Sequence, residues 1–322
     1  MERRKSINKK VLKTNMLFAF TSQGVSFLIS ILMSLIVPKF LDVVAYGYWQ
    51  LFIFYVTYIG FFHFGLNDGL YLKLGGVEYG NMDHEEIGSQ LKVSVFFQIL
   101  LGVVIVAVAA MFTTDLDRLY VIVAFAVYMV LGNAASFVGF IFQAANQTKI
   151  YSLADIIMKV SFIGMLAALL LSHVYDFRFF IVCYIAGMAL SVAFYAYCGR
   201  SLIFSRFRGL AATAKLIWAN IGVGIKLLFA NLAGMLILGI GRLVIDGIWG
   251  IEHFGQISFS LSLTNFFLLF MFQVSVVLFP ALRQTDEACQ KRYFGEIDDF
   301  LSILLPVILL CYIPAKELLI LW

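Results

Sequence analysis

The chain has 322 residues, of which 62% are hydrophobic and 13% charged, with a net charge of +4 and a mean hydropathy of +0.95. Soluble globular domains carry about 25% charged residues, so this composition excludes an ordinary soluble enzyme or binding module. Apolar runs of about 20 residues recur without period-two alternation, which excludes a β-barrel and leaves an all-α polytopic membrane protein.

In chain order the predicted spans are 16–37, 46–65, 91–112, 119–142, 152–172, 177–198, 222–245, 256–280 and 299–321. A basic start (Arg3, Arg4, Lys5, Lys9, Lys10, Lys13) runs directly into the first span, so it does not read as a cleavable signal. Connections 66–90, 199–221 and 281–298 fall on one side by alternation. That side also carries Arg200, Arg206, Arg208, Lys215, Arg283, Lys291 and Arg292, whereas the opposite turns hold Lys39, Arg118 and Arg178, with Lys316 near the end of the last span. The asymmetry predicts a cytoplasmic N-terminus, with Lys73 and Lys226 as anchors at the anionic surface. The tyrosines of the second span, Tyr46, Tyr48, Tyr55 and Tyr58, read in part as an interfacial belt, and Asn67-Asp68-Gly69 as a helix-ending turn. The four cysteines and four histidines are scattered, so neither a metal site nor a bound cofactor is expected. Nothing in the pattern suggests nucleic-acid binding.

Few charges lie within the spans. Asp155 and Lys159 sit four residues apart in the fifth span, sharing one helix face in the favourable acid-first order. A lysine near the bilayer centre costs about 2.5–3.5 kcal/mol on insertion scales. It therefore reads either as a cavity-lining cation or as half of a self-neutralised structural pair. Arg242 and Asp246 form a second i,i+4 pair near the end of the seventh span, read either as the mouth of a polar cavity in which Arg242 could hold a phosphate or as an arginine that snorkels to the interface. In the first span Ser22, Ser26, Ser30 and Ser34 repeat every four residues beside Gln23, a stripe suited to close helix packing or to a sugar-contacting wall. Asp115-Leu116-Asp117 is a D-x-D in a turn too short for a donor pocket.

A shift of about 208 residues lays the first span and "FLDVVAYGYWQLF" on the seventh span and "IWGIEHFGQISFS". Tyr46-Gly47 falls on Phe254-Gly255, Gln23 on Asn231 and Ser34 on Arg242. This register implies two parallel six-helix lobes related by an axis along the membrane normal, residues 1–221 and 222–322, the second incomplete and expected to continue in a longer chain.

Three stretches carry a family resemblance: residues 15–51, "FGLNDGLYLKLGG" at 64–76, and 239–262 with Asp246 followed by Phe254-Gly255. They resemble the multidrug/oligosaccharidyl-lipid/polysaccharide exporter superfamily, most closely the Wzx-type lipid-linked oligosaccharide flippases. The family often has Arg-x-Leu-Gly after its first span, where Lys39, Leu41 and Asp42 stand here. The resemblance implies a MATE-like two-lobe bundle with twelve or fourteen spans, working by alternating access in the bacterial cytoplasmic membrane. The implied partners are undecaprenyl-diphosphate-type oligosaccharide, membrane lipids and polysaccharide assembly proteins, for O-antigen, capsule or exopolysaccharide synthesis rather than enzyme catalysis. Lys159, Arg242, Lys226, Gln23, Ser30 and Asn231 are the expected substrate contacts; Asp155 and Asp246 are the expected carriers if H⁺ or Na⁺ drives transport. The rival readings are a cation-coupled multidrug antiporter of the same superfamily and, from another class, a membrane glycosyltransferase or polysaccharide polymerase.

Overall fold

The structure, a computed structural model, describes residues 36–262 and a few isolated positions towards either end. The predicted spans 16–37 and 299–321 and most of 256–280 thus lie outside the described residues. Among the described residues the ordered elements are helical: α1 (Val43–Thr57, prolonged by a 3-10 segment Ile59–His63), α2 (Leu66–Leu74), α3 (His84–Phe112), α4 (Leu116–Ala144), α5 (Thr148–Leu171), α6 (Phe177–Cys198), the short α7 (Arg200–Ile203) and α8 (Leu210–Trp249). A further helix, α9, covers 251–262. Among the described residues six helical segments are long and apolar enough to cross a membrane, which makes this a multi-pass helical membrane protein.

Aspartates set the helix starts. The Asp42, Asp83, Asp115 and Asp176 side chains accept backbone N–H bonds from the first turns of α1, α3, α4 and α6. Each such cap contributes about 1 kcal/mol. α3 gains a second anchor, since Arg208 pairs with Asp83 at 2.7 Å and its backbone N–H donates to Ser89 Oγ at 3.0 Å. The Glu86 backbone N–H and Arg208 together hold the Asp83 carboxyl below its ordinary pKa.

α4 is the central helix, packed against α1, α2, α3, α5 and α6. Its most apolar stretch is 56% buried, against 11% for α3, so among the described residues α3 packs at the margin of the bundle. One core is aromatic. Trp49 stacks on Phe162 at 6.1 Å, Phe52 meets Tyr184 edge-on at 5.7 Å, and Tyr128 lies 5.3 Å from Tyr184.

Several expectations are corrected. Asn67-Asp68-Gly69 does not end a helix; it lies in α2, which starts after left-handed Phe64 and Gly65 and is pressed against α8. A Cβ at Gly69 would run into the Asn220 carbonyl, and one at Gly224 into the Gly65 carbonyl, so only glycines permit this approach. The connection 199–221 is largely helical, because α8 is a single helix of 40 residues, about 60 Å long. The 221/222 boundary therefore falls inside it. Tyr46 and Tyr48 are buried in the core rather than in a belt.

The helices bearing the two aromatic-glycine pairs cross each other. A Cβ on Gly47 would lie 2.6 Å from the Ile251 carbonyl oxygen, and one on Gly255 would lie 3.0 Å from Gly47 Cα and 3.4 Å from the Val43 carbonyl oxygen. The same 208-residue interval separates Val43 from Ile251 and Gly47 from Gly255. The contact is thus self-complementary, as in a two-fold interface where i meets j and j meets i.

Candidate functional site

Lys159 and Asp155 lie on α5 and form an ion pair at 2.5 Å. Both line an open cavity of about 250 Å³ bordered by α4, α5 and α6. Tyr128, Tyr151, Tyr184, Tyr195, Ser136 and Ser191 form much of the remaining wall. Tyr128 and Tyr184 also belong to the aromatic core, so that wall is held rigidly. The volume suits a group about the size of one sugar ring. Tyrosine faces can stack on the apolar side of such a ring, while hydroxyls and the ion pair offer donors and acceptors. An incoming phosphate oxygen would compete with Asp155 for the Lys159 ammonium.

A second polar assembly ties α1, α4, α6 and α8 together at the end of the bundle where α4 begins. Tyr48 Oη donates to Asp115 Oδ2 at 2.5 Å, and Asp115 Oδ1 accepts the backbone N–H of Asp117 and Arg118. Arg118 grips Asp246 with two parallel bonds of 2.6 and 2.8 Å. Asp117 pairs with Arg178. Burial pushes the Asp115 carboxyl up, but the Tyr48 hydroxyl and the two amides outweigh it and hold it below its ordinary value. The two carboxylates of the D-x-D are thereby committed to a cap, a tyrosine and an arginine.

The expected Arg242–Asp246 pair does not form. Asp246 is taken by Arg118, whose planar fork matches both carboxylate oxygens. Arg242 instead donates through Nε and Nη2 to Ser258 Oγ at 3.1 and 2.7 Å. Its guanidinium lies 4.9 Å from the ring centres of both Phe54 and Phe254. Lys226 and Asn231 are exposed on α8. Arg242, Lys226, Asn231 and Asp246 do not line the Lys159 cavity. Gln23 and Ser30, with the rest of the serine stripe, lie outside the described residues. Sequence reasoning missed Arg118, which it used only as a mark of membrane side. Its partner stands 128 residues away, and no local spacing announces it.

Two further cavities are apolar. One, of about 580 Å³, lies among α1, α3, α4 and α8 and is lined in part by Phe54, Tyr58, Phe125 and Leu243. The other, of about 420 Å³, lies between α3 and α8 beside the α1–α2 break and is bordered by His63 and Gln98. Among the described residues no group of three or more His, Cys, Asp and Glu side chains could hold a metal ion.

In comparisons with known proteins, no family model, curated protein or solved structure matches this chain.

Proposed function

We propose that the chain is a flippase that moves polyprenyl-diphosphate-linked oligosaccharide across the bacterial cytoplasmic membrane by alternating access of two lobes, with its N-terminus in the cytoplasm. The observation that carries this reading is the self-complementary crossing at Gly47 and Gly255. It is the contact expected where two copies of one helical unit meet at a pseudo-two-fold axis, as in parallel-repeat transporters. The tyrosine- and serine-walled cavity with Lys159 supports a glycan cargo, because its wall offers hydroxyls, ring faces and one cation rather than a purely apolar lining.

The test is translocation of a labelled lipid-linked oligosaccharide by the full-length protein in vesicles. Lys159→Ala and the double change Asp155→Ala/Lys159→Ala should each abolish transport at normal membrane levels, while Lys159→Arg keeps much of it. Wild-type transport by the charge-free double variant would reduce the pair to a structural one and remove the cargo-binding role.

A further inference from the structure

The connection between α6 and α8 is an elbow fastened to the start of α3. Leu202 is fully buried, and a Cβ on Gly88 would run into its carbonyl. The Ser205 carbonyl accepts a bond from the Lys92 ammonium, and the Arg208 backbone N–H donates to Ser89 Oγ at 3.0 Å. Every third residue of the elbow, 202, 205 and 208, thus engages α3. The residues between them are turned outward. Phe204 is 83% exposed, Arg206 and Phe207 are exposed, and so is Leu210, the first residue of α8.

The acids close to the elbow already have partners. Arg208 meets Asp83, Glu85 and Glu86 at 2.7, 3.5 and 3.9 Å, and Lys73 holds Glu86 at 3.3 Å. Arg200, Arg206 and Lys215 differ: they are exposed, and among the described residues they form no ion pair. No Asp or Glu occurs from 177 to 245, so every charge of this stretch is positive. The elbow also joins two helices that are long and apolar enough to span a membrane, Phe177–Cys198 and the first half of α8. It therefore lies where the bilayer ends. At that depth apolar side chains enter the boundary of headgroups and acyl chains, while long cationic side chains reach the phosphates.

We propose that residues 199–215 form a docking surface for acidic phospholipid. Phe204, Phe207 and Leu210 enter the lipid boundary, and Arg200, Arg206 and Lys215 meet the headgroup phosphates. The charge selects the acidic class, because a zwitterionic headgroup offers three cations no net counter-charge. The planar forks of the two arginines match phosphate oxygens. The elbow is bonded to α3 and leads straight into α8, so docking fixes the point from which α8 leaves the surface. The inference needs only that these helices cross a membrane, and it holds whatever cargo the chain moves.

The test places the purified full chain, without lipid-linked sugar, in vesicles that contain a headgroup-photoactivatable phosphatidylglycerol or phosphatidylcholine at equal mole fraction. Adducts are mapped by peptide mass spectrometry. Wild type should collect phosphatidylglycerol adducts within 199–215 several-fold over phosphatidylcholine, and the excess should shrink in high salt. One cation near an anionic surface is worth about fivefold, so Arg200→Gln/Arg206→Gln/Lys215→Gln should lower that preference about tenfold or more. Phe204→Ser/Phe207→Ser should reduce labelling by both lipids. Should either variant fail to fold, the preference of wild type and its loss in salt decide. Equal labelling by the two lipids, an undiminished preference in the charge-free variant, or no adducts in 199–215 would each overturn the surface, the last meaning that the elbow faces water or a protein.

Discussion

Replacing Arg118 by alanine should be among the most damaging single changes outside the aromatic core. The Asp246 side chain is 9% exposed and would lose both of its bonds to Arg118 at once. Removing one member of a buried pair costs about 3–5 kcal/mol, chiefly because the other charge stays buried and unpaired. The Arg118 side chain is 25% exposed, so water reaches the site and the lower end, about 3 kcal/mol, is expected. Arg118→Met/Asp246→Leu removes both charges and keeps apolar volume, and should sit within about 1 kcal/mol of wild type. The cycle of single and double variants is read by denaturant unfolding in mixed micelles, with the buried Cys183 thiol as a reporter of opening. If Arg118→Ala matches wild type, or the double variant falls as far as the single, the pair is not the lock described here.

At the α1–α9 crossing, Gly47→Ala should destabilise by about 1–3 kcal/mol, since its Cβ would meet a backbone carbonyl that cannot rotate away. Gly255→Ala should cost somewhat less, and Gly80→Ala, whose Cβ meets nothing within 4 Å, should be neutral in the same assay. For Asp115 the folded pKa is depressed, so its contribution is present above the unfolded value of about 3.9 and fades as pH falls through the lower folded value. Wild type should therefore lose its advantage over Asp115→Asn, which keeps a capping side chain but does not titrate, only on acidification below about pH 4. An advantage that is flat with pH in thermal melts would refute that account.

Much of the helical layout is legible in the sequence because a membrane span must be a long apolar run. The limits of α5 and α6 match the predicted spans to within a few residues, the turn between them being closed by the Asp176 cap. α3 starts seven residues before its predicted span, since the first turns carry His84, Glu85, Glu86 and Gln90, whose polarity reads as a connection. α8 hid its beginning in the same way, behind a stretch containing Lys215 and Asn220. The Asp155–Lys159 pair is legible because both partners lie on one helix, whereas Arg118–Asp246 depends on how α4 and α8 are brought together. The buried hydrogen-bonded cluster of Asn67, Gln98 and Asn133 is invisible for the same reason. Its members come from three helices, and each alone reads as an ordinary polar residue.

Two points on α8 connect these features. About a third of the way along it, Gly224 and Asn220 press on α2 with no room for a methyl group; near its end, Asp246 is held by Arg118. Between Gly224 and Asp246 the helix rises about 33 Å. A pivot of about 10° at the tight glycine contact would carry Asp246 about 6 Å, enough to break both bonds to Arg118, while side chains at the pivot barely shift. In the proposed cycle the lock must open at each turnover. Separating the intact charges into water costs less than deleting one of them, because both are rehydrated. Moving a two-state protein from 1:99 to 99:1 takes about 5.5 kcal/mol, so a lock of a few kcal/mol can bias which face is closed and still be overcome by cargo or ion binding. The stability variants carry this argument over to transport. If the pair closes one face, Arg118→Ala in vesicles should raise the labelling of a cysteine placed on α8 near Asp246 even without cargo. Labelling equal to that of wild type would mean that α8 does not move there, and that the pair is a fixed brace.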